Sequence, residues 1–189
     1  EPAIWALKAS IVLAASEIRP EARETYKLNH PNTEIFGDIR ELTGQQILEK
    51  IGLEPGELDL LAACPPCQGF SSIRIKNGKV SNDERNDLIF EVMELCLEIK
   101  PKCILIENVP RLLTDWRLDS FKERLQKDYS FTTQIVNAKD CGVPQRRKRM
   151  ILLGSKFEVI EINIRRRKLR TVSDAIGKLP LPNGKHKRP

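Results

Sequence analysis

Residues 58–71 read Leu-Asp-Leu-Leu-Ala-Ala-Cys-Pro-Pro-Cys-Gln-Gly-Phe-Ser, and this stretch decides the fold. The run Leu58–Cys64 is short and apolar, a pattern typical of a strand buried inside a parallel sheet. Pro65-Pro66 ends the strand because proline cannot donate to a sheet ladder. The residues Gln68–Asn86 are polar and contain glycine, which predicts a loop. The stretch therefore predicts a buried strand that brings Cys67 to the edge of a sheet.

Short apolar runs alternate with helical patterns along the rest of the chain. Strands are predicted at Ser10–Glu17, Ile35–Phe36, Cys103–Glu107, Phe131–Val136 and Met150–Gly154. Helices are predicted at Pro20–Asn29, Thr43–Ile51, Asp87–Ile99 and Phe121–Gln126. This βαβ succession predicts an α/β fold with a doubly wound, mostly parallel sheet, whose reactive groups lie at the carboxyl ends of the strands.

Charge and cysteine content limit the class of protein. The 189 residues include 32 Lys and Arg against 26 Asp and Glu, and much of the basic excess falls late, at 145–149, 165–170 and 185–188. Such runs favour a polyanionic partner, although a basic run can also be ordinary solvated surface. The five cysteines are an odd number, and the sequence shows neither a secretory signal nor an apolar run of membrane-spanning length. We therefore expect a cytoplasmic protein without a membrane partner.

Three polar residues directly follow predicted strands. They are Asp38, Cys67 and Glu107, and an open α/β sheet places its site at such positions. Each alone has an ordinary structural explanation, because a thiol often packs as a small apolar group and a carboxylate often caps a helix. Their sequence contexts favour a functional interpretation.

Three motifs carry a family resemblance. Pro65-Pro66-Cys67-Gln68-Gly69-Phe70-Ser71, Glu107-Asn108-Val109 and Gln145-Arg146-Arg147-Lys148-Arg149 occur in this order, and together they resemble signature motifs of the DNA cytosine-5 methyltransferases. The resemblance runs from about Ile11 to about Pro182. It implies an S-adenosylmethionine-dependent methyltransferase with a Rossmann-like fold. The bacterial members of this family suggest that the protein belongs to a restriction–modification system.

The resemblance also implies a covalent mechanism on cytosine. The C5 atom is a poor nucleophile, so Cys67 first adds to C6 of the ring. Glu107 would then donate at N3, and a cation at O2 would stabilise the developing charge. Gln145, Arg147 and Arg149 match the family's Gln-x-Arg-x-Arg motif, in which Arg149 would reach O2 while Arg147 orders the site.

A base inside a duplex is inaccessible, so the resemblance implies that cytosine is flipped out of the DNA. Residues 66–86 would form the catalytic loop. Within it, Pro66, Gln68, Gly69 and Ser71 would contact the substrate or shape the loop. Asn108 would hold this loop through its backbone.

Cofactor contacts are expected at the ends of the first two strands. By resemblance, Glu17 would bind the ribose hydroxyls and Ile18 would lie beside the adenine of S-adenosylmethionine. Asp38 and Ile39 would contact the adenine edge. A carboxylate after the second strand is a general device of nucleotide-binding α/β folds.

Two parts of the family pattern do not occur in this sequence. The family has a Phe-x-Gly-x-Gly-Gly loop, whereas here the first glycine is Gly37. We expect the basic segment 165–189 to lead toward a target-recognition domain that residues 1–189 do not include. We therefore expect residues 1–189 to be a partial catalytic domain, completed by a further segment or a complementary chain; a degenerate, inactive nucleic-acid-binding homologue is the other interpretation.

The same residues also permit other functional interpretations. Cys64 and Cys67 form a Cys-x-x-Cys pair, which also occurs in redox proteins and zinc sites, but Gly69 and the polar loop follow where a redox motif would open a helix. We expect no metal. RNA could replace double-stranded DNA as the substrate, since one branch of the family methylates RNA. The expected location is the bacterial cytoplasm or the nucleoid.

Overall fold

The computed structural model describes residues 11–66 and 87–179. The predicted nucleophile Cys67 lies outside this part of the chain, as do Gln68, Gly69, Ser71 and most of the predicted loop. Ser10 and the basic residues 185–188 are also outside it.

Five α-helices lie within the described ranges: α1 (Pro20–Asn29), α2 (Gly44–Ile51), α3 (Leu88–Ile99), α4 (Trp116–Leu125) and α5 (Val172–Ile176). Helix α1 begins with Pro20 in its first turn, where a missing N–H costs nothing. Helix α2 has a capping box between Thr43 and Gln46, and it ends at Gly52 with φ of 69°. The first three helices are confirmed, while α4 starts five residues before the predicted Phe121 because Asp115 caps it.

Six strands form two sheets within the described residues. They are β1 (Ala14–Ser16), β2 (Glu34–Phe36), β3 (Leu60–Ala63), β4 (Cys103–Asn108), β5 (Ser130–Asn137) and β6 (Lys148–Ser155). Strands β1 and β2 pair in parallel, and the second sheet has the order β3-β4-β6-β5. Strand β6 is antiparallel to both β4 and β5, an arrangement that the sequence did not predict. The α/β class is confirmed.

Two apolar clusters form the core. The larger lies on the four-stranded sheet, where Ile104, Ile106 and Leu152 are fully buried and α4 contributes Phe121. The smaller joins α2 to α3, and its buried members are Ile47, Leu48, Leu95 and Ile99. Ala14 of β1 and Leu61 of β3 both pack against the smaller cluster, so the two sheets share it.

Strand β3 is more exposed than the sequence predicts. Leu60 is 43% exposed, and Ala62 and Cys64 are exposed on the same side of the strand. Within residues 11–66 and 87–179, β3 pairs with β4 and β1 pairs with β2, and each has only that one neighbour. The expectation of a strand buried on both faces is therefore wrong for this part of the chain, because nothing described covers the second face of β3.

The described residues contain neither a membrane-spanning helix nor a metal-binding cluster. No helix among them combines the length and apolar content needed to cross a bilayer. No group of three or more His, Cys, Asp or Glu side chains is arranged there to hold a metal ion.

Candidate active site

The carboxyl end of β4 carries Glu107 and Asn108. Parallel pairing aligns Ala63 with Ile106, which brings the chain after β3 alongside the end of β4. The Asn108 Nδ2 atom donates to the Pro65 carbonyl at 3.0 Å, and its Oδ1 accepts from the Val109 N–H at 2.8 Å. Asn108 is 3% exposed, so a buried amide ties the Pro-Pro turn to the end of the neighbouring strand.

Two arginines reach Glu107 from β6 and the loop before it. Antiparallel pairing sets Glu107 opposite Ile151, which brings the start of β6 to the carboxyl end of β4. Arg149 Nε lies 2.8 Å from Glu107 Oε1, and Arg147 Nη2 lies 3.9 Å from the same oxygen. The Arg149 side chain is 24% exposed and that of Arg147 is 49% exposed, so Arg149 makes the tighter and better shielded contact.

The turn before β6 is closed by its own backbone. Gln145 N–H donates to the Val143 carbonyl at 2.7 Å, and the Gln145 carbonyl accepts from Arg147 N–H at 3.1 Å. The Gln145 side chain is exposed and has no hydrogen-bond partner among residues 11–66 and 87–179. Gln145 and Arg147 therefore lie in this turn and Arg149 lies in β6, and only the two arginines contact Glu107.

Cys64 lies beside this carboxylate, which sequence reasoning missed. Partial desolvation raises the pKa of the Cys64 thiol, and the negative charge of Glu107 raises it further; a backbone hydrogen bond from Glu107 acts in the opposite direction. Cys64 is therefore protonated at neutral pH. The matched register of β3 and β4 was the signal that could have revealed this neighbour.

The expected cofactor residues gather at the carboxyl end of the β1–β2 sheet. The register pairs Ser16 with Phe36, so Glu17 and Gly37-Asp38 follow side by side. Glu17 Oε1 accepts from the Arg19 N–H at 2.9 Å, and its side chain is 41% exposed. Its Oε2 has no partner within the described part of the chain, so one carboxylate oxygen can accept from ribose hydroxyls.

The other three residues have different environments. Asp38 caps the 3₁₀ turn Ile39–Glu41 and pairs with the Arg40 guanidinium, and these hydrogen bonds to Arg40 lower the pKa of Asp38. Ile18 is 57% exposed, which leaves its surface available to a planar ring. Ile39 packs against both apolar clusters, so it connects this end of the molecule to the core.

Known proteins match nearly the whole chain. The model of the C-5 cytosine-specific DNA methylase family matches residues 5–184. The chain belongs to this family. It is 38% identical to the Type II methyltransferase M1.HgaI of Avibacterium volantium, over 93% of the chain and 52% of that protein. It is 32% identical to M.AquIA of Picosynechococcus sp., over 76% of the chain and 62% of that protein.

A solved structure shares the fold. It is that of a candidate DNA modification methyltransferase encoded within a prophage (E. coli), with a TM-score of 0.74 and 27% identity. The match covers 91% of this chain and 49% of the prophage protein. The chain thus has the methyltransferase fold of its family, and it spans about half the length of M1.HgaI.

One buried charged cluster was also absent from the sequence analysis. Arg117, at the start of α4, contacts Asp87 and Asp115. No family motif or strand end marks these residues, and only the Asp115-Trp116-Arg117 run at a helix start could have drawn attention to them.

Proposed function

We propose that this chain carries the catalytic half of a DNA cytosine-5 methyltransferase. In this proposal Cys67 attacks C6 of a flipped-out cytosine and S-adenosylmethionine is the methyl donor. The observation that supports it best is the position of Glu107, which lies at the end of β4 with Arg149 2.8 Å away and with Pro65, two residues before Cys67, held to the adjacent Asn108. This arrangement supports a site in which a nucleophile, an acid and a cation act together.

Each residue has a stated task in this chemistry. The Cys67 thiolate forms a bond to C6, and the electron pair of the C5–C6 double bond moves through the ring toward N3 and O2. Glu107 donates a proton at N3. Arg149 holds Glu107 Oε1 through Nε and uses its Nη2 group to stabilise charge at O2. Once C5 carries the methyl group, N3 returns its proton to Glu107, and loss of the C5 proton to solvent expels the Cys67 thiolate and restores the C5–C6 double bond.

The cofactor has a partial site in this chain. When bound, S-adenosylmethionine supplies the methyl group that is transferred to C5. Glu17 would accept from its ribose hydroxyls, and Ile18, Asp38 and Ile39 would border the adenine. These groups fit an adenosine, because Glu17 has a free carboxylate oxygen and Ile18 an exposed apolar side chain. We propose that a further segment or a complementary chain supplies the remainder of the cofactor site, the strand neighbours of β1 and β3, and the target-recognition domain.

Double-stranded DNA is the proposed substrate, and a basic rim beside the site supports this choice. The Arg167 N–H donates to the Asp140 carbonyl at 2.8 Å, and Ala138 N–H donates to the Arg147 carbonyl at 2.9 Å. These bonds place the segment 165–170 next to the turn that carries Arg147 and Arg149. Arg165, Arg166 and Lys168 are exposed and have no acidic partner in the described ranges, as expected for groups that neutralise phosphates. We place this reaction in the bacterial cytoplasm, at the nucleoid.

A covalent trapping experiment tests the mechanism. The protein as its gene encodes it is incubated with S-adenosylmethionine and a PCR product in which 5-fluorocytosine replaces every cytosine. Because fluorine cannot leave as a cation, we expect a complex that resists denaturation and maps to Cys67 by peptide mass spectrometry. Glu107→Gln should slow its formation by about 10²–10⁴-fold, the usual contribution of a positioned acid.

Three other results would each redirect the proposal. Tritiated methyl transfer to ordinary DNA without any trapped complex would show that attack at C6 is wrong. Trapping by a 5-fluorocytidine transcript but not by the fluorinated DNA would assign the chain to the RNA branch. DNA binding without either methyl transfer or trapping would make the protein a binding module that has lost catalysis.

A further inference from the structure

Arg23 ties helix α1 to the carboxyl end of the β1–β2 sheet. Its Nη1 atom donates to the Glu17 carbonyl at 3.0 Å and to the Ile18 carbonyl at 3.0 Å. One nitrogen can bind both oxygens because Nη1 carries two N–H groups. Helical side chains lean toward the N-terminus of their helix, which directs Arg23, near the start of α1, back to the residues before it. The connection between β1 and α1 is therefore held by this side chain as well as by the backbone.

The same guanidinium lies beside the end of β2. A Cβ atom placed on Gly37 would lie 3.8 Å from Arg23 Nη1. Two further hydrogen bonds join the strand ends. Glu17 N–H donates to the Phe36 carbonyl at 3.2 Å. Ser16 Oγ donates to the Gly37 carbonyl at 2.7 Å. Arg23 thus lies where the ends of β1 and β2 meet.

Apolar packing contributes little to this part of the described chain. Helix α1 has no buried residue, and its Leu28 is 85% exposed. In the connection itself, Ile18 is 57% exposed. A connection without a buried side chain keeps its conformation chiefly through hydrogen bonds, and those from a charged donor contribute more than those between neutral groups. The two Arg23 bonds are therefore a main constraint on the backbone of Glu17 and Ile18.

We propose that Arg23 is a positioning residue for cofactor binding: by holding the Glu17 and Ile18 carbonyls beside Gly37, it keeps the adenosine contacts of β1 and β2 in one arrangement. This inference rests on the proposed roles of Glu17 and Ile18 toward S-adenosylmethionine. Arg23 contacts the backbone oxygens of these residues and acts through them. A site that is already ordered binds more tightly, because binding does not have to supply the free energy of ordering it.

The test measures the affinity of S-adenosylmethionine for the protein as its gene encodes it, by isothermal titration without DNA. Arg23→Met removes both hydrogen bonds and keeps an unbranched side chain. It should raise the dissociation constant by about tenfold, because the connection must then be ordered during binding. In methyl transfer to DNA, the KM for the cofactor should rise likewise with little change in kcat, as expected when binding alone is weakened. Arg23→Lys keeps a cationic donor and should recover part of the affinity.

Hydrogen exchange in the cofactor-free protein provides a second readout. Glu17 N–H is bonded to the Phe36 carbonyl, and Arg19 N–H is bonded to Glu17 Oε1. If Arg23 orders this connection, both amides should exchange faster in Arg23→Met than in the wild type, because local opening then costs less free energy. Unchanged exchange at both amides would show that the connection is ordered without Arg23, which would overturn the inference.

Lys27 supplies a matched control on the same helix. Its Nζ donates to the Thr33 carbonyl at 3.1 Å, and Thr33 precedes β2, at the opposite end of that strand from Gly37. Lys27→Met therefore removes a bond of the same kind at the amino end of the sheet. Its cofactor affinity should equal that of the wild type even where its melting temperature falls as far as that of Arg23→Met. An equal loss of affinity in both variants would overturn the positioning role and leave Arg23 a structural residue.

The two proposals fail in different ways. If the wild type neither binds S-adenosylmethionine nor forms the covalent complex, the proposed function fails and the Arg23 inference fails with it. If the wild type does both and Arg23→Met binds the cofactor as tightly, only the Arg23 inference is overturned. Because Arg23 is only half-buried, Arg23→Met leaves no buried cavity, and the variant should fold.

Discussion

Cys64 lies three residues before the proposed nucleophile Cys67 in the sequence. Cys64 lies next to Glu107, and desolvation together with that negative charge raises the pKa of its thiol. A protonated thiol is a poor nucleophile, so Cys64 is chemically unsuited to attack a pyrimidine. Cys64 can therefore lie beside the proposed catalytic acid Glu107 without reacting, and the proposed nucleophile is the cysteine that follows the two prolines.

The pair supplies a matched test at the residue scale. Cys67→Ser should abolish methyl transfer, because a serine hydroxyl at neutral pH is a far weaker nucleophile than a thiolate. Cys64→Ser makes the same chemical change three residues away and should keep turnover within a few-fold of the wild type, since mutations outside the reacting groups act chiefly on stability. Tritiated methyl transfer to DNA measures both. Activity in Cys67→Ser, or its loss only in Cys64→Ser, would contradict the assignment.

At the scale of elements, two helices begin with the same capping box but differ in packing. Thr43 and Gln46 form one box at the start of α2, and Thr171 and Asp174 form the other at the start of α5. Helix α2 buries Ile47 and Leu48 in the smaller apolar cluster, whereas α5 has no buried residue. The cap of α2 therefore stabilises a helix that is part of the core, whereas the cap of α5 stabilises only that exposed helix.

This difference predicts unequal effects of one substitution. Thr43→Ala should cost about 1 kcal/mol by removing a side-chain cap, and for a chain of this size that lowers the melting temperature by about 2–4 °C. Thr171→Ala removes the same kind of cap but should leave the global melting temperature unchanged, because α5 can fray without opening the core. Differential scanning calorimetry compares the two. An equal shift for both would show that α5 is packed more firmly than its exposure indicates.

For the whole molecule, the two sheets share one apolar cluster but leave two strand edges without partners. Strand β1 pairs with β2 and β3 pairs with β4, and neither has a second neighbour within the described ranges. Unpaired edges and exposed side chains such as Ile11 reduce the apolar area that folding removes from water. The proposed cofactor contacts Glu17 and Asp38 follow the two strands of the smaller sheet.

We therefore expect residues 1–189 alone to bind S-adenosylmethionine weakly, with a dissociation constant above about 1 mM. The chain has no glycine before Gly37, so the family's Gly-rich cradle for the methionine end is missing from these residues. Isothermal titration and thermal melting test this, with Glu17→Gln as the control for any residual adenosine binding. Micromolar affinity with an upward shift in melting temperature would contradict the account, since binding to the native state must raise apparent stability.

Local patterns were enough to predict much of the fold. The apolar runs with their flanking prolines and glycines predicted α1, α2 and α3 and the succession of strands, because helix caps and strand ends depend on neighbours a few residues away. The three ordered motifs were enough to identify the family, which the matches then confirmed. The roles of Cys67, Glu107 and Arg149 remain predictions that the trapping experiments address.

Contacts between distant residues could not be read in the same way. The antiparallel pairing of β6 with β4 brings Arg149 to Glu107, and the parallel register of β3 and β4 brings Cys64 and Pro65 to the end of β4. Arg117 contacts Asp87, which lies thirty residues before it in the sequence. Periodicity reports which face of an element is apolar, but it carries no information on which element will lie beside that face. The exposure of β3 and the burial of Arg117 were decided by those neighbours, because burial is a property of packed surfaces and not of a residue type.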